Sequence, residues 1–248
     1  MGSLVAIDRL PLTGVLLDVG GTLWSERWTP DPPLLAARMR SALPNASSTQ
    51  LELLREEFTR LAASIDWSIE QDVHQLITSA GSLAGLRLPP DDARAVRRAM
   101  CLPAAGRGDC FPGTPDLLHT IQRLGLRCAV VSNVLVRAAE DYRQDFANYG
   151  FDGLVDVFVT SIEARVRKPD PRIFELAMRT IDRRAAEVVM VGNSEVNDIE
   201  PAVKLGMRSI RVAIDEPPPG RTCANVLATS LFDVAQQLER WAVRPSPA

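Results

Sequence analysis

A chain of 248 residues, 46% hydrophobic and 24% charged, has the composition of a globular protein with room for one large core and a smaller satellite. Its formal net charge of −3 offers no basic field to nucleic acid or to an anionic membrane surface, and no uncharged apolar run approaches the roughly 18 residues of a membrane span. Cys101, Cys110, Cys128 and Cys223 form no C-x-x-C pair and no zinc-like spacing, and Met1 to Leu12 lack the charged start and apolar stretch of a secretory signal, so a reducing, cytoplasmic setting is expected.

The first predicted element is the apolar run Val15–Leu17, which ends at Asp18 and is followed by the pair Gly20-Gly21 and by Thr22. From about Trp24 to Gly108 there is no strand-like run. Leu51, Leu54, Phe58, Leu61 and Ile65 recur at three- and four-residue steps, as do Ile69, Val73, Leu76, Ile77 and Ala80, with Asn45–Thr49 as a polar loop and Pro89-Pro90 as a break. This is an all-helical insertion placed directly after the first strand. Four more apolar runs follow, Cys128–Val131, Val155–Val159, Val188–Val191 and Ile210–Ile214. They are continuous rather than alternating, as strands covered on both faces are. Between them lie predicted helices: one that starts at Thr114-Pro115, with the Thr114 hydroxyl as N-cap, and closes at Gly125; one from about Arg137 to Tyr149; one after Pro171; and one that ends at Gly206. Strands alternating with helices predict an α/β fold with a doubly wound, Rossmann-like parallel sheet. The predicted division is a core of residues 1–23 and 109–248 and a helical cap of residues 24–108. His74 and His119 fall on predicted helices as packing or surface residues.

Four places converge at the C-terminal edge of such a sheet, where ligands bind in this architecture. They are Asp18, Ser132-Asn133, the run Lys168-Pro-Asp-Pro-Arg-Ile-Phe174, and the run Gly192-Asn-Ser-Glu-Val-Asn-Asp198. A carboxylate at a strand end suits a nucleophile, and Asp18 would attack a phosphorus or carbon centre. Ser132 and nearby backbone N–H groups would hold a phosphoryl oxygen, and Lys168 would supply the positive charge. Asp198 would anchor a cation or orient Lys168. A magnesium ion would find oxygen ligands in Asp18, the Gly20 carbonyl, the Asn193 amide and Asp198. Gly21, Thr22, Asn133 and Trp24 are candidate substrate-binding positions. Trp28 is a further candidate for lining the opening between cap and core, and Glu26 and Arg27 for touching substrate.

The strings Leu-Leu-Asp18-Val-Gly-Gly-Thr22-Leu, Val-Ser132-Asn133, Arg-Lys168-Pro-Asp-Pro-Arg-Ile-Phe and Val-Gly-Asn193-Ser-Glu-Val-Asn-Asp198-Ile resemble the four motifs of the haloacid dehalogenase-like hydrolase superfamily, over about residues 14–240. The resemblance implies a Rossmann-like core with a helical cap inserted after the first motif, Asp18 as nucleophile, Ser132 as phosphate-binding hydroxyl, Lys168 as charge stabiliser, and Asn193 and Asp198 as metal-loop positions. Phosphatases of that family carry Asp two residues after the nucleophile, where this chain has Gly20, and Asn193 stands where their fourth motif has Asp. Positioned acid–base groups contribute about 10²–10⁴-fold, so the Gly20 substitution predicts slow phosphomonoester turnover or a changed chemistry. The expected function is magnesium-dependent hydrolysis of a small phosphorylated metabolite through an aspartyl-phosphate at Asp18. The alternatives are a metal-independent dehalogenase-type hydrolase and a non-catalytic binding or regulatory protein on the same fold.

Overall fold

The computed structural model describes residues 10–25, 32–101, 110–214 and 220–242. The first strand, β1 (Gly14–Leu17), leads into four helices, α1 (Pro32–Ala42), α2 (Ser48–Ala63), α3 (Val73–Leu83) and α4 (Pro90–Met100). After them come α5 (Thr114–Arg123), β2 (Arg127–Ser132), α6 (Ala139–Asn148), β3 (Val157–Thr160), α7 (Ser161–Ala164), α8 (Pro171–Thr180) and β4 (Val188–Gly192). A π-helical turn, Glu195–Ile199, runs into α9 (Glu200–Lys204), and the chain continues through β5 (Arg208–Val212), β6 (Val226–Ala228) and α10 (Leu231–Ala242). The six strands pair in parallel in the order β3-β2-β1-β4-β5-β6. The order reverses beside β1, and that switch point opens a crevice at the C-terminal ends of β1, β2 and β4.

Strand periodicity sorts the apolar runs between two layers. Val15, Leu17, Cys128, Val130, Val189 and Val191 face the layer built by α5, α6 and α10, whereas Leu16, Ala129, Val131 and Met190 face the one built by α8 and Ala202 of α9. Both faces are covered, so both parities must be apolar. Leu16 and Leu17 are fully buried, and each contributes about 1.5–3 kcal/mol by leaving water.

The helices α1–α4 close over a separate cluster that includes Met39, Leu54, Phe58, Ile77, Leu88 and Val96. Leu51, Leu54 and Phe58 of the first predicted stripe are buried on α2, but that helix ends at Ala63 and leaves Ile65 beyond it. Ile69 is likewise not helical. It lies in the turn before α3, whose N-cap Asp72 accepts from the backbone N–H groups of His74 and Gln75, and it is 58% exposed. The predicted loop Asn45–Thr49 is shorter than expected, because Ser47 forms a capping box with Gln50 and α2 begins at Ser48.

Two buried arginines tie this helical unit to the sheet layer. Arg97 of α4 donates to the Val136 carbonyl and pairs with Glu140 and Asp141 of α6. Arg167, beside α8, donates to Glu70 Oε2 (2.9 Å) and to the Val134 carbonyl (2.8 Å), with its guanidinium 5.2 Å from the Trp67 ring centroid. At the start of the insertion Trp24 bridges both Gly20 and Cys110. Its ring stands 5.2 Å from Phe146 and 5.4 Å from Tyr149, so Trp24 packs with the sheet layer.

The start of α5 differs from expectation. Gly113, with φ 89°, is the N-cap, and the Thr114 hydroxyl donates instead to the Leu23 carbonyl at 2.8 Å. Glu26, Arg27, Trp28 and the residues from Arg244 onward lie outside the described residues. Among the described residues no helix is long and apolar enough to cross a membrane.

Candidate active site

At the C-terminal ends of β1, β2 and β4 a cavity of about 260 Å³ is lined by Asp18, Gly20, Ser132, Asn133, Tyr142, Lys168, Asn193, Ser194, Asn197 and Asp198. Asp18 follows the last residue of β1, so its backbone is fixed by the sheet, and its N–H donates to the Val191 carbonyl at 2.9 Å. Beyond it the Val19 carbonyl accepts from the N–H groups of Thr22 and Leu23, which folds the chain back on itself. Gly21 makes this turn at φ 71°, a left-handed conformation that favours glycine, and donates its N–H to the Trp24 carbonyl. Gly20 lies outside the left-handed region. Its φ therefore does not itself demand glycine.

The turn brings the Thr22 hydroxyl to 2.9 Å from Asp18 Oδ2, while Lys168 Nζ stands 2.6 Å from Asp18 Oδ1. Lys168 also donates to Asp198 Oδ1 at 2.6 Å, so one buried ammonium bridges two buried carboxylates. Burial acts to pull the Lys168 ammonium below its ordinary pKa, but the charges and hydrogen bonds of Asp18 and Asp198 outweigh it and hold the ammonium above that value. Asp198 is pushed up to about 6, chiefly by burial and also by the Asp18 charge, against the pull of Lys168.

Lys168 is placed by three separate devices. Asp170 caps α8 through the Arg172 N–H, and Pro171 occupies the first turn, where no donor is needed. The Asn133 side chain accepts from the Lys168 N–H at 2.7 Å and donates to the Lys168 carbonyl at 2.8 Å. Arg167 anchors the residue before it. Asp198 is set by the π-helical turn, where the Ser194 N–H donates to Asp198 Oδ2 at 3.0 Å and the Ser194 hydroxyl accepts from the Asn197 N–H. The carboxylate lies against Gly192, where an added Cβ would come within 2.5 Å of Asp198 Cγ and Oδ2. Gly192 is thus demanded by packing.

The structure gathers Asp18, Gly20, Ser132, Asn133, Lys168, Asn193 and Asp198 around one space. The remaining candidates stand behind it. Thr22 is fully buried with its hydroxyl on Asp18, Gly21 forms the turn, and the Trp24 indole sits in the aromatic layer with Tyr142, Phe146 and Tyr149. None of these three is among the described residues that line the cavity. Sequence reading missed Tyr142, whose hydroxyl lies 3.0 Å from Ser132 Oγ, and it gave Asn197 no role. Tyr142 has no motif signal, because it reaches the cavity from the middle of α6.

The four oxygen-bearing residues read as magnesium ligands meet at this cavity, and their chemistry fits a hard cation. Among the described residues no cluster of three or more His, Cys, Asp or Glu exists to hold a metal, but magnesium takes only one or two carboxylates and keeps several waters. Asp18 and Asp198 supply the charge. The Gly20 carbonyl and the Asn193 amide accept no hydrogen bond from the described residues, which leaves both oxygens available.

The sequence matches the family model for a haloacid dehalogenase-like hydrolase over residues 12–206. A plasmid-encoded phosphoglycolate phosphatase of Cupriavidus necator is 31% identical over 235 residues, which cover 94% of each chain. A ribulose-1,5-bisphosphate 5-phosphatase of Halopiger xanaduensis is 25% identical over 228 residues, 88% of this chain and 91% of its own. Among solved structures, a HAD phosphatase from Thermococcus onnurineus aligns with a TM-score of 0.60 at 20% identity, covering 94% of this chain and all of its own. A 2-haloacid dehalogenase from Pseudomonas syringae aligns with a TM-score of 0.59, also at 20% identity, over 93% of this chain and all of its own. At that identity the two structures speak to the fold alone.

Proposed function

The chain belongs to the haloacid dehalogenase-like hydrolase family, and from that premise we propose that it is a magnesium-dependent phosphatase of small phosphorylated metabolites, slowed or specialised by Gly20. The observation that carries this reading is the Asp18–Lys168–Asp198 arrangement, bonded at 2.6 Å on both sides and opening onto a polar cavity with Ser132. Phosphatase-named relatives that span most of the chain support the phosphoryl centre over a carbon–halogen bond.

Asp18 attacks phosphorus, the new bond forms from one carboxylate oxygen, and the ester oxygen leaves with its electron pair. Thr22 holds the other carboxylate oxygen through its hydroxyl and so fixes the attack direction. Lys168 and the Ser132 hydroxyl, both on buried residues, meet the negative charge on the phosphoryl oxygens. Asp18, the Gly20 carbonyl, Asn193 and Asp198 would hold a magnesium ion, which would supply further neutralisation of that charge. The leaving oxygen takes its proton from solvent or from the substrate itself, because Gly20 offers none. Water then attacks phosphorus, the bond to the Asp18 oxygen breaks, and inorganic phosphate leaves, the water's proton passing to phosphate or solvent as the Asp18 carboxylate is regenerated. Good leaving groups, such as acyl or enol oxygens, need the missing acid least. The helical unit α1–α4 serves as the cap in this scheme, held to the core by Arg97 and Arg167.

The test is an assay of wild type, Asp18→Asn and Gly20→Asp on a panel of phosphate esters with and without magnesium. Phosphate release that needs magnesium and is lost in Asp18→Asn supports the reading. Release of halide from a 2-haloacid without magnesium, and no phosphate from any ester, would replace it with the dehalogenase alternative.

A further inference from the structure

Tyr142 is the one aromatic side chain among the described residues that line the cavity, and the scheme above gives it no part. Its ring is clamped on three sides. It stacks on Phe158 with planes 8° apart and centroids 6.3 Å apart, it meets Trp24 at 6.3 Å, and the Arg137 guanidinium lies 5.6 Å from its centroid. The residue is 5% exposed, and Ser132 is 4% exposed. Their oxygens lie 3.0 Å apart, and neither hydroxyl has another hydrogen-bond partner among the described residues. A ring held this firmly fixes the place of its hydroxyl, and therefore of the Ser132 oxygen opposite.

A pair of hydroxyls has two protons and one mutual hydrogen bond, so one proton remains to be directed elsewhere. The phenol is the better acid of the two and is the natural donor, which makes Ser132 Oγ the acceptor. The Ser132 proton is then left to point into the cavity. Burial pushes the Tyr142 phenol up to about 12, so it keeps its proton at neutral pH. A chain of hydroxyls that ends on an anion polarises along its length, and each bond strengthens the next.

We propose that Tyr142 is a positioning residue of the anion site: it donates to Ser132 and thereby turns the Ser132 hydroxyl proton onto an oxygen of a bound tetrahedral oxyanion. The inference rests on the phosphoryl reading above and adds to it the residue that fixes the serine. It needs no catalytic turnover to be tested, because a bound inorganic oxyanion suffices.

The test is a double-mutant cycle on the full chain, with inorganic phosphate and tungstate binding measured by titration calorimetry. Ser132→Ala removes a hydrogen bond to a charged group and is expected to weaken binding about tenfold to a hundredfold, and Tyr142→Phe about threefold to tenfold. In the Ser132→Ala background Tyr142→Phe should have no further effect, since its influence passes through the serine. The chain has only two tyrosines, so biosynthetic 3-fluorotyrosine gives two fluorine resonances, assigned with Tyr149→Phe. Tungstate should shift the Tyr142 line in wild type and leave it in place in Ser132→Ala. Equal losses with and without Ser132, unchanged affinity in a folded Tyr142→Phe, or a Tyr142 line that ignores tungstate while it binds would each overturn the proposal. Oxyanion binding without any phosphatase activity would overturn the functional reading alone, and a wild type that binds neither anion would overturn both.

Discussion

Lys168 Nζ lies 2.6 Å from Asp18 Oδ1, and both groups are buried. The same nitrogen holds Asp198 at the same distance, so removing it leaves two carboxylates facing each other out of water. Breaking such a buried pair costs about 3–5 kcal/mol. Lys168→Met should therefore lower the melting temperature as well as abolish turnover. Magnesium should recover part of that stability in the variant, and more than it adds to wild type, because the cation then neutralises the stranded carboxylates. Thermal melts with magnesium and with chelator check this.

Gly20 lies outside the left-handed region, so the backbone can carry a side chain there. Gly20→Asp should raise phosphate-ester turnover by about 10²–10⁴, the usual worth of a positioned acid–base group, with the largest gain on poor leaving groups. Gly21→Asp should do the opposite. At φ 71° a side chain is strained, and the melting temperature should fall. Steady-state rates on alkyl and aryl phosphates, with melts of both variants, check the pair.

Gly192→Ala places a methyl group 2.5 Å from the Asp198 carboxylate. Either β4 or Asp198 must move. Overpacking of this kind costs about 1–3 kcal/mol, and activity should fall further than stability does, because Asp198 orients Lys168. Gly206→Ala is the control: its Cβ meets nothing within 4 Å, so any cost there comes from its φ of 82° and leaves the site intact.

The raised Asp198 sets a pH dependence with a definite sign. Its pKa is about 6 in the fold against an ordinary value of 3.8, so the folded state holds the proton more tightly. The stability it contributes is fully present below 3.8 and is lost as pH rises through about 6. In chelator, wild type should lose stability relative to Asp198→Asn across that window. With magnesium, which favours the ionised carboxylate, the rise in turnover should fall at a lower pH than this metal-free window. Denaturant titrations at several pH values and a kcat/KM profile measure the two limbs.

The ion pair of Arg167 with Glu70 joins the residue before Lys168 to the loop between α2 and α3. Glu70→Gln should loosen the helical unit on the core. Limited proteolysis should then cut faster between α2 and α3, and KM should rise more than kcat falls. Equal proteolysis rates would show that this ion pair does not hold the unit on the core.

The sheet was legible because its strands are buried on both faces. Runs such as Cys128–Val131 and Val188–Val191 are continuous and buried at every position, as strands covered on both faces are. β6 escaped notice because Val226–Ala228 is three residues long and half covered, which leaves no run to see. The helix stripes ran too far for a related reason: counting three- and four-residue steps carries Ile65 and Ile69 along, whereas α2 stops at Ala63 and α3 starts at Val73. Asp18 and Ser132 at strand ends, and Lys168 and Asp198 in the segments that lead into or follow the strands' C-terminal edge, could be placed by topology and motif. Tyr142 could not, since it enters from a helix face, and Trp24 was read as a substrate contact, whereas its ring packs in an aromatic layer. Thr22 and Asn133 were found, but as substrate contacts. Their hydrogen bonds go to Asp18 and to the Lys168 backbone, a distinction that only geometry makes.

The most direct test is intact-mass spectrometry of the protein quenched in acid during turnover of a small phosphate ester. With no acid–base group at Gly20 to speed its hydrolysis, the aspartyl-phosphate should accumulate. Wild type is expected to gain the mass of one phosphoryl group, mapped by peptide analysis to Asp18, with no gain in Asp18→Asn. Phosphate release that continues in Asp18→Asn, or turnover with no adduct on Asp18 at any quench time, would contradict the account.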